Sequence, residues 1–105
     1  MMLVTVLSVA YNSEATIART IESVLVQTYP NIEYIIIDGA SKDNTVKIAE
    51  AFLPQFVKQK GKNLRIISEP DRGMYDALNK GAAAANGTII GSINTDDWYL
   101  SLIHI

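Results

Sequence analysis

The chain contains no cysteine and a single histidine, His104, among its 105 residues. Disulfide bonds, thiolate zinc sites and cysteine nucleophiles are therefore excluded. With one histidine next to the C-terminal residue, we expect neither a histidine-based metal site nor a Ser-His-Asp triad. Any catalysis must depend on carboxylates, backbone amides, hydroxyl groups or a bound hard metal ion.

Basic residues are not in excess, because nine Lys and Arg stand against eleven Asp and Glu, for a net charge of -2. No broad positive surface is available to neutralise a phosphate backbone, so we expect no nucleic-acid partner. No apolar run approaches the roughly 20 residues of a membrane span. Residues 1–9 lack the basic region of a signal peptide and predict a buried strand. We expect a cytoplasmic protein, with peripheral attachment to the inner membrane left open.

The chain does have enough apolar residues for a folded core, since 49% of it is hydrophobic, and this excludes intrinsic disorder. Its length predicts one domain. Short apolar segments predict strands and segments with helical periodicity predict helices, with Pro54 expected to kink or end the second helix. The strands are predicted at 3–9, 32–37, 64–67 and 88–93, and the helices at 14–28, 46–56 and 74–85. This β-α-β-α-β-α-β order predicts an α/β protein with a Rossmann-like open, mainly parallel sheet and helices on both faces.

Polar clusters follow the predicted strands: Tyr11-Asn12, Asp38, Glu69 to Gly73, and Asp96-Asp97. The carboxyl ends of parallel strands meet at one edge of the sheet, where open α/β sheets bind their ligands. Three of the six aspartates meet there and repel one another unless a cation or hydrogen-bond donors compensate. A hard divalent ion such as Mg²⁺, held by carboxylates and ligand phosphates, would do so. We expect unpaired carboxylates at Asp38 and Asp97, whose replacement by Asn relieves repulsion and affects ligand binding more than folding.

Each cluster also has a purely structural interpretation. Asn12 or Ser13 can cap the first helix, and Asp38-Gly39 is a common turn dipeptide. Asp96-Asp97 can form a solvated turn, and Asp76 can lie on the wet face of the third helix. Two nucleotide-binding signatures, GxGxxG after the first strand and GxxxxGK[ST], do not occur in the sequence.

Four segments occur in an order that matches a known family: VLSVAYNSE (6–14), SVLVQTYPNIEYIIIDGASKDNT (23–45), GMYDALNKG (73–81) and ANGTIIGSINTDDWY (85–99). Together they resemble the N-terminal half of the family-2 glycosyltransferases, an inverting class with the GT-A fold. The resemblance covers residues 3–99, which would form the nucleotide-sugar (donor) binding part, and leaves 100–105 as a tail outside the family. Ala40 departs from the family's pattern, which usually has serine after Asp-Gly.

The resemblance implies roles in a nucleotide pocket for residues after the first two strands. Ala10, Tyr11 and Asn12 would line the pocket, with Tyr11 near the base and Glu14 on the ribose side. Asp38 would accept a hydrogen bond from the uracil ring, which an acceptor-only carboxylate does well.

The later segments are implied to close the pocket and to hold a metal ion. Arg72, Met74 and Asp76 belong to a segment that closes over the nucleotide. Asp96 would face the ribose or the donor sugar, and Asp97, together with Asp96, would hold a divalent Mg or Mn ion. That ion would bridge the diphosphate and assist its departure.

The resemblance therefore implies a glycosyltransferase that moves a sugar from a nucleotide-diphosphate donor, expected to be a UDP-sugar, to a saccharide or lipid-linked acceptor in polysaccharide or glycolipid biosynthesis. The general base is expected beyond the C-terminus, so the chain is expected to be a truncated GT-A domain, inactive alone. Truncation is expected to leave the fourth strand with an unpaired edge that favours homo-oligomers. The alternatives are a non-catalytic nucleotide-sugar-binding module and a flavodoxin-like interaction domain without a ligand.

Overall fold

A computed structural model of the chain describes residues 3–26, 31–70, 74–92 and 101–102. The predicted alternation of strands and helices is confirmed. The strands are β1 (Val4–Ala10), β2 (Ile32–Asp38), β3 (Lys62–Ser68), β4 (Thr88–Ser92) and β5 (Ser101–Leu102). The helices are α1 (Ile17–Leu25), α2 (Thr45–Glu50), α3 (Leu53–Lys58) and α4 (Met74–Ala84).

The strands form one sheet in the order β3-β2-β1-β4-β5, in which β1 to β4 are parallel and β5 is antiparallel to β4. In register, Ala10 lies opposite Asp38, and Asp38 lies opposite Ser68. The carboxyl ends of β1, β2 and β3 therefore finish side by side. We call this the carboxyl edge of the sheet, and it is the edge at which the sequence predicts a ligand site.

Helices cover both faces of the sheet, as predicted. Helices α1, α2 and α3 pack on one face, where Ile17, Ile21 and Val24 of α1 are fully buried. Helix α4 packs on the other face, against Leu7, Ile35 and Ile37. It lies so close that a methyl group at Gly81 would be 2.6 Å from Ile37 Cδ1, which explains a glycine inside this helix. The nearly continuous apolar sequence of β2 is typical of a strand buried on both faces.

The second helical region is divided in two near Pro54. Helix α2 ends at Glu50, and Pro54 lies in the first turn of α3. A proline is tolerated in a first turn because no intrahelical partner is available there for its missing N–H. The prediction that the helix ends or bends at this proline is confirmed. Both Phe52 and Phe56 are buried, and the Phe56 ring lies 6.2 Å from that of Tyr34.

The beginning of α1 differs from the prediction. Thr16 is the N-cap residue and makes no side-chain capping bond, whereas the sequence predicted the cap at Asn12 or Ser13. The backbone carbonyl of Ser13 instead accepts hydrogen bonds from the Thr16 and Ile17 amides. The Asn12 side chain instead accepts a hydrogen bond from the Lys42 amide, in the loop after β2.

The outer edge of β4 also differs from the prediction. Gly91 pairs with Leu102, and Ser92 pairs with Ser101. The expectation of an unpaired edge is therefore wrong at these two positions, because β5 satisfies backbone groups that would otherwise recruit a second chain. At Gly91 and Ser92, the unpaired edge from which a homo-oligomer was predicted is therefore absent. None of the helices in the described ranges combines the length and the hydropathy of a membrane span.

A buried polar cluster near the amino ends of the strands centres on Glu33, which is only 3% exposed. Its Oε1 accepts hydrogen bonds from Thr5 Oγ1 (3.0 Å) and the Asn86 amide (2.8 Å), and its Oε2 accepts one from Asn86 Nδ2 (2.8 Å). Arg65 Nη1 lies 3.9 Å from Oε2, and the Gly87 amide donates to Thr5 Oγ1 (3.2 Å). The cluster ties the turn before β4 to β1 and β2.

A second buried polar pair joins β1 to β2 within the core. Tyr34 is fully buried and its hydroxyl lies 2.6 Å from Ser8 Oγ, while burial raises the pKa of the phenol well above its ordinary value. We expect Tyr34→Phe to lower the free energy of unfolding by about 1 kcal/mol, because Ser8 loses its partner. Ser8→Ala should have a similar effect, and the double variant should cost less than the sum of the two. Urea unfolding of all four proteins measures this, and strictly additive effects would contradict a direct bond.

Candidate functional site

Asp38 is the buried centre of the carboxyl edge. Its side chain is 0% exposed, and its Oδ2 accepts hydrogen bonds from the Ser41 amide and from Ser68 Oγ, both at 2.8 Å. Its Oδ1 accepts a further bond from Ser41 Oγ. Three of the roughly four acceptor positions of a carboxylate are thus occupied. The expectation that Asp38 is an unpaired carboxylate is wrong, because hydroxyl and amide donors compensate its charge.

The loop after β1 is joined to the loop after β2 by two reciprocal hydrogen bonds. The Asn12 amide donates to Ser41 Oγ (2.7 Å), and the Lys42 amide donates to Asn12 Oδ1 (2.9 Å). Both loops use left-handed backbone, with φ of 46° at Asn12 and 60° at Ala40. Asparagine adopts this conformation more readily than most residues, whereas at Ala40 the Cβ atom makes it strained.

Three further contacts extend this connection toward the helices. Thr45 Oγ1 accepts from the Ser13 amide (2.7 Å), the Glu14 amide donates to Asp43 Oδ2 (3.2 Å), and Glu14 Oε2 accepts from the Asn44 amide (3.2 Å). We call the hydrogen bonds between residues 12–14 and residues 41–45 the loop clasp. Desolvation raises the pKa of the Asp43 carboxyl, but hydrogen bonds from Thr45 and Glu14 outweigh it, and the pKa lies below its ordinary value.

The loop after β3 is attached to the same edge. The Glu69 amide donates to the backbone carbonyl of Asp38 (2.9 Å). Lys80 of α4 donates to the Pro70 carbonyl (2.7 Å) and lies 3.2 Å from Glu69 Oε1 and 3.5 Å from Asp76 Oδ2. Desolvation lowers the pKa of Lys80, but these two carboxylates outweigh it and raise that pKa. A continuous series of polar contacts therefore runs from Asn12 through Asp38 to Asp76.

The structure brings together five residues that the sequence assigned to a nucleotide pocket. Ala10 is buried at the end of β1, and its carbonyl accepts from the Gly39 amide (2.9 Å). Asn12 and Glu14 belong to the loop clasp, and Asp38 lies beneath it. Tyr11 is 58% exposed, so its ring is open to solvent beside the fixed backbone of Asn12. An exposed aromatic ring on an anchored loop can stack against a planar ligand.

The remaining predicted residues are placed only in part. Asp76 is half-buried beside Lys80, and Met74 is the first residue of α4. Arg72, Asp96 and Asp97 lie outside the described residues. Within the described ranges, no three acidic or histidine side chains converge on a point that would hold a metal ion. The predicted metal site depends on Asp96 and Asp97, so the described part of the chain does not test it.

Several residues that organise this edge were not singled out from the sequence. They bear hydroxyl, carboxylate or ammonium groups that hold the loops, and they are Ser41, Asp43, Thr45, Ser68 and Lys80. For the residues other than Lys80, which lies within α4, the available signal was their position after predicted strands, where short polar side chains bond to backbone groups of turns. Apart from Lys80, each of them has a partner about 30 residues away along the chain, and no sequence periodicity indicates those pairings.

Comparison with known proteins agrees with this architecture. A family model described as Glycosyl transferase family 2 matches residues 5–101. A PGL/p-HBAD biosynthesis glycosyltransferase of Mycobacterium bovis is 35% identical over 86 residues, which are 82% of this chain and 32% of that relative. The chain therefore spans about a third of the length of this curated relative.

Two solved structures show the same fold in proteins with bound nucleotides. A mannosyltransferase from Pyrobaculum calidifontis in complex with GDP-Man and Mn²⁺ is 26% identical, with a TM-score of 0.78 over 89% of this chain and 27% of that one. A glucosyl-3-phosphoglycerate synthase from Mycobacterium tuberculosis, solved with Mn²⁺, UDP and glucosyl-3-phosphoglycerate, is 27% identical. Its TM-score is 0.66, over 90% of this chain and 33% of that one. Because the family model covers nearly the whole chain and the sheet has the matching architecture, the chain belongs to glycosyl transferase family 2 and has the GT-A fold.

Proposed function

We propose that the chain binds a nucleoside diphosphate sugar, with a divalent metal ion, at the carboxyl edge of its sheet. The observation that carries this proposal is the loop clasp, in which Ser41 connects the left-handed Asn12, next to the exposed Tyr11, to the buried Asp38. Ligands of open α/β sheets bind at this edge. The similar mannosyltransferase was solved with GDP-Man and Mn²⁺, and the similar synthase with UDP and Mn²⁺, which supports the same ligand class here.

Within this site, we assign the base to the side of Tyr11 and Asn12 and the ribose to the side of Glu14. Asp38 retains about one free acceptor position, on Oδ1, and that position would accept the uracil N–H. Since Asp38 is 0% exposed, the base reaches it only when the loop residues that cover it move aside, and the contact then excludes water. A bond formed without competing water discriminates strongly between bases, because a wrong base leaves a buried group unpaired.

We assign the diphosphate and the metal ion to the side of Asp76, Asp96 and Asp97. Carboxylates with ligand phosphates are the donors that Mg²⁺ and Mn²⁺ prefer. The bound ion would neutralise negative charge on the leaving nucleoside diphosphate. Arg72 and Met74, beside Asp76 in sequence, would close over the nucleotide.

For the whole enzyme, we propose transfer of the sugar with inversion to a saccharide or lipid-linked acceptor. The related protein named for PGL/p-HBAD biosynthesis supports a glycolipid or polysaccharide pathway. Transfer requires a base near the acceptor hydroxyl. Asp43 is not suited to that role, since the hydrogen bonds that it accepts lower its pKa and occupy its oxygens.

Calorimetric titration of the chain with UDP tests the proposal. We expect Mn²⁺ to increase the affinity for UDP by about tenfold or more over the same titration in EDTA, because the ion bridges the diphosphate to the carboxylates. Asp97→Asn should remove the metal-dependent increase while leaving metal-free binding unchanged. GDP should bind more weakly than UDP if Asp38 recognises uracil. UDP binding that is absent, or equal with Mn²⁺ and EDTA, would contradict the proposed site.

A further inference from the structure

We infer that Ser41 is a positioning residue for the nucleotide site, because its hydroxyl group links Asn12 to the buried Asp38. Ser41 Oγ accepts a hydrogen bond from the Asn12 amide (2.7 Å) and donates its own proton to Asp38 Oδ1. The inference rests on the proposed function, since it assigns to Ser41 the task of holding the loop that would contact the base.

Asp38 provides a fixed support for this link. Its carboxyl is fully buried, and Ser68 Oγ and the Ser41 amide both hold Oδ2 at 2.8 Å. The β1-β2 and β2-β3 pairings continue to Ala10, Asp38 and Ser68, so the backbone beneath the carboxyl is part of the sheet. The sheet therefore determines the position of Ser41 Oγ. The hydrogen bond from the Asn12 amide to Ser41 Oγ then fixes the backbone at Asn12.

Asn12 depends on such an anchor because its own conformation is unfavourable. It is exposed, and its φ of 46° lies in the left-handed region, which costs energy relative to ordinary backbone. The neighbouring Tyr11 is 58% exposed, so its side chain is only partly packed. Without the Ser41 hydroxyl, the Asn12 amide loses its partner and its link to Asp38, and the other bonds of the loop clasp hold the backbone at Asn12 less firmly.

Two matched alanine substitutions separate this role from general stabilisation of Asp38. Ser41→Ala and Ser68→Ala each remove one hydroxyl that donates to the Asp38 carboxyl, but only Ser41 also contacts Asn12. We expect Ser41→Ala to weaken binding of UDP with Mn²⁺ about tenfold, and Ser68→Ala to weaken it less than about threefold. Ser41→Thr keeps the hydroxyl and should restore most of the affinity.

Amide hydrogen exchange at Asn12 gives a readout that does not require a nucleotide. We expect the Asn12 amide to exchange at least about tenfold faster in Ser41→Ala than in Ser68→Ala, and Ser41→Thr to restore slow exchange. Should Ser41→Ala not fold, Ser41→Cys replaces it, because a thiol is a weak donor and acceptor of similar shape.

The outcomes distinguish the two proposals. If the wild-type chain binds UDP and Ser41→Ala binds it equally well, the role of Ser41 is overturned while the proposed function stands. Equal effects of Ser41→Ala and Ser68→Ala on affinity and on Asn12 exchange would also overturn it, since Ser41 would then act only through stability. If the wild-type chain binds neither UDP nor GDP, the proposed function itself fails.

Discussion

Replacing Asp38 with alanine is expected to lower the free energy of unfolding by about 2–3 kcal/mol. The substitution leaves the Ser41 amide and the Ser41 and Ser68 hydroxyl groups without the acceptor that each now has, at a position that is 0% exposed. An unpaired donor costs about 1–3 kcal/mol where it is buried, and less at the half-buried Ser41 and the exposed Ser68, whose hydroxyl groups can turn toward water. A domain of this size has a total stability of about 5–15 kcal/mol, so the effect is large. Urea unfolding followed by circular dichroism measures it.

Asp38→Asn is the matched control for this prediction. The amide oxygen can still accept from the Ser41 amide and Ser68, but the amide nitrogen then faces the Ser41 hydroxyl, whose proton loses its acceptor. We expect a loss of about 1–2 kcal/mol and a folded protein with weakened UDP affinity, because Ser41 is reoriented beneath Asn12. An Asp38→Ala protein as stable as the wild type would show that this carboxyl does not hold the three loops.

Replacing Glu33 with alanine is expected to lower the free energy of unfolding by about 3 kcal/mol. Glu33 is 3% exposed and accepts hydrogen bonds from Thr5 and from both the backbone and the side chain of Asn86. Removal of its carboxyl leaves those donors unpaired and releases the turn at Asn86 and Gly87 from the sheet. Since this cluster lies far from the carboxyl edge, UDP affinity of the protein that remains folded should be unchanged.

Glu33→Gln separates the charge of this residue from its shape. The glutamine oxygen can accept from Thr5 and the Asn86 amide, and the Asn86 side chain can rotate so that its oxygen accepts from the new amide nitrogen. We therefore expect this variant to lose about 1 kcal/mol or less at neutral pH. A loss as large as that of Glu33→Ala would mean that the negative charge itself is required.

The same pair of proteins tests the pH dependence of stability. Desolvation raises the pKa of Glu33, but hydrogen bonds from Asn86 and Thr5 and the charge of Arg65 outweigh it, and the pKa lies below the ordinary 4.5. A lowered carboxyl pKa contributes stability above the unfolded value, and this contribution is lost as the pH falls through the folded value. The wild type should therefore lose stability below about pH 4.5 more steeply than Glu33→Gln. Parallel acid unfolding curves would contradict this assignment.

The sequence alone was sufficient to predict the order of the elements and the edge at which the site lies. Hydrophobic periodicity is local, and the runs at 32–37 and 74–85 each show their own type of structure within a few residues. Because parallel strands place their carboxyl ends together, the polar residues Asn12 and Asp38 were predicted to share an edge. The four short segments that resemble the family-2 glycosyltransferases predicted the family as well.

Only the tertiary structure decided how that edge is held together. Asp38 was predicted as an unpaired, repelling carboxylate, but Ser41 and Ser68 supply it with donors, and the Ser68 contact joins residues 30 positions apart. Likewise, Asn12 bonds to Ser41 and Lys42 instead of capping α1, and β5 covers part of the edge of β4. Such pairings depend on which loops the sheet brings together in space. A hydroxyl or carboxylate has the same sequence signature whether its partner is water, its own turn or a distant strand.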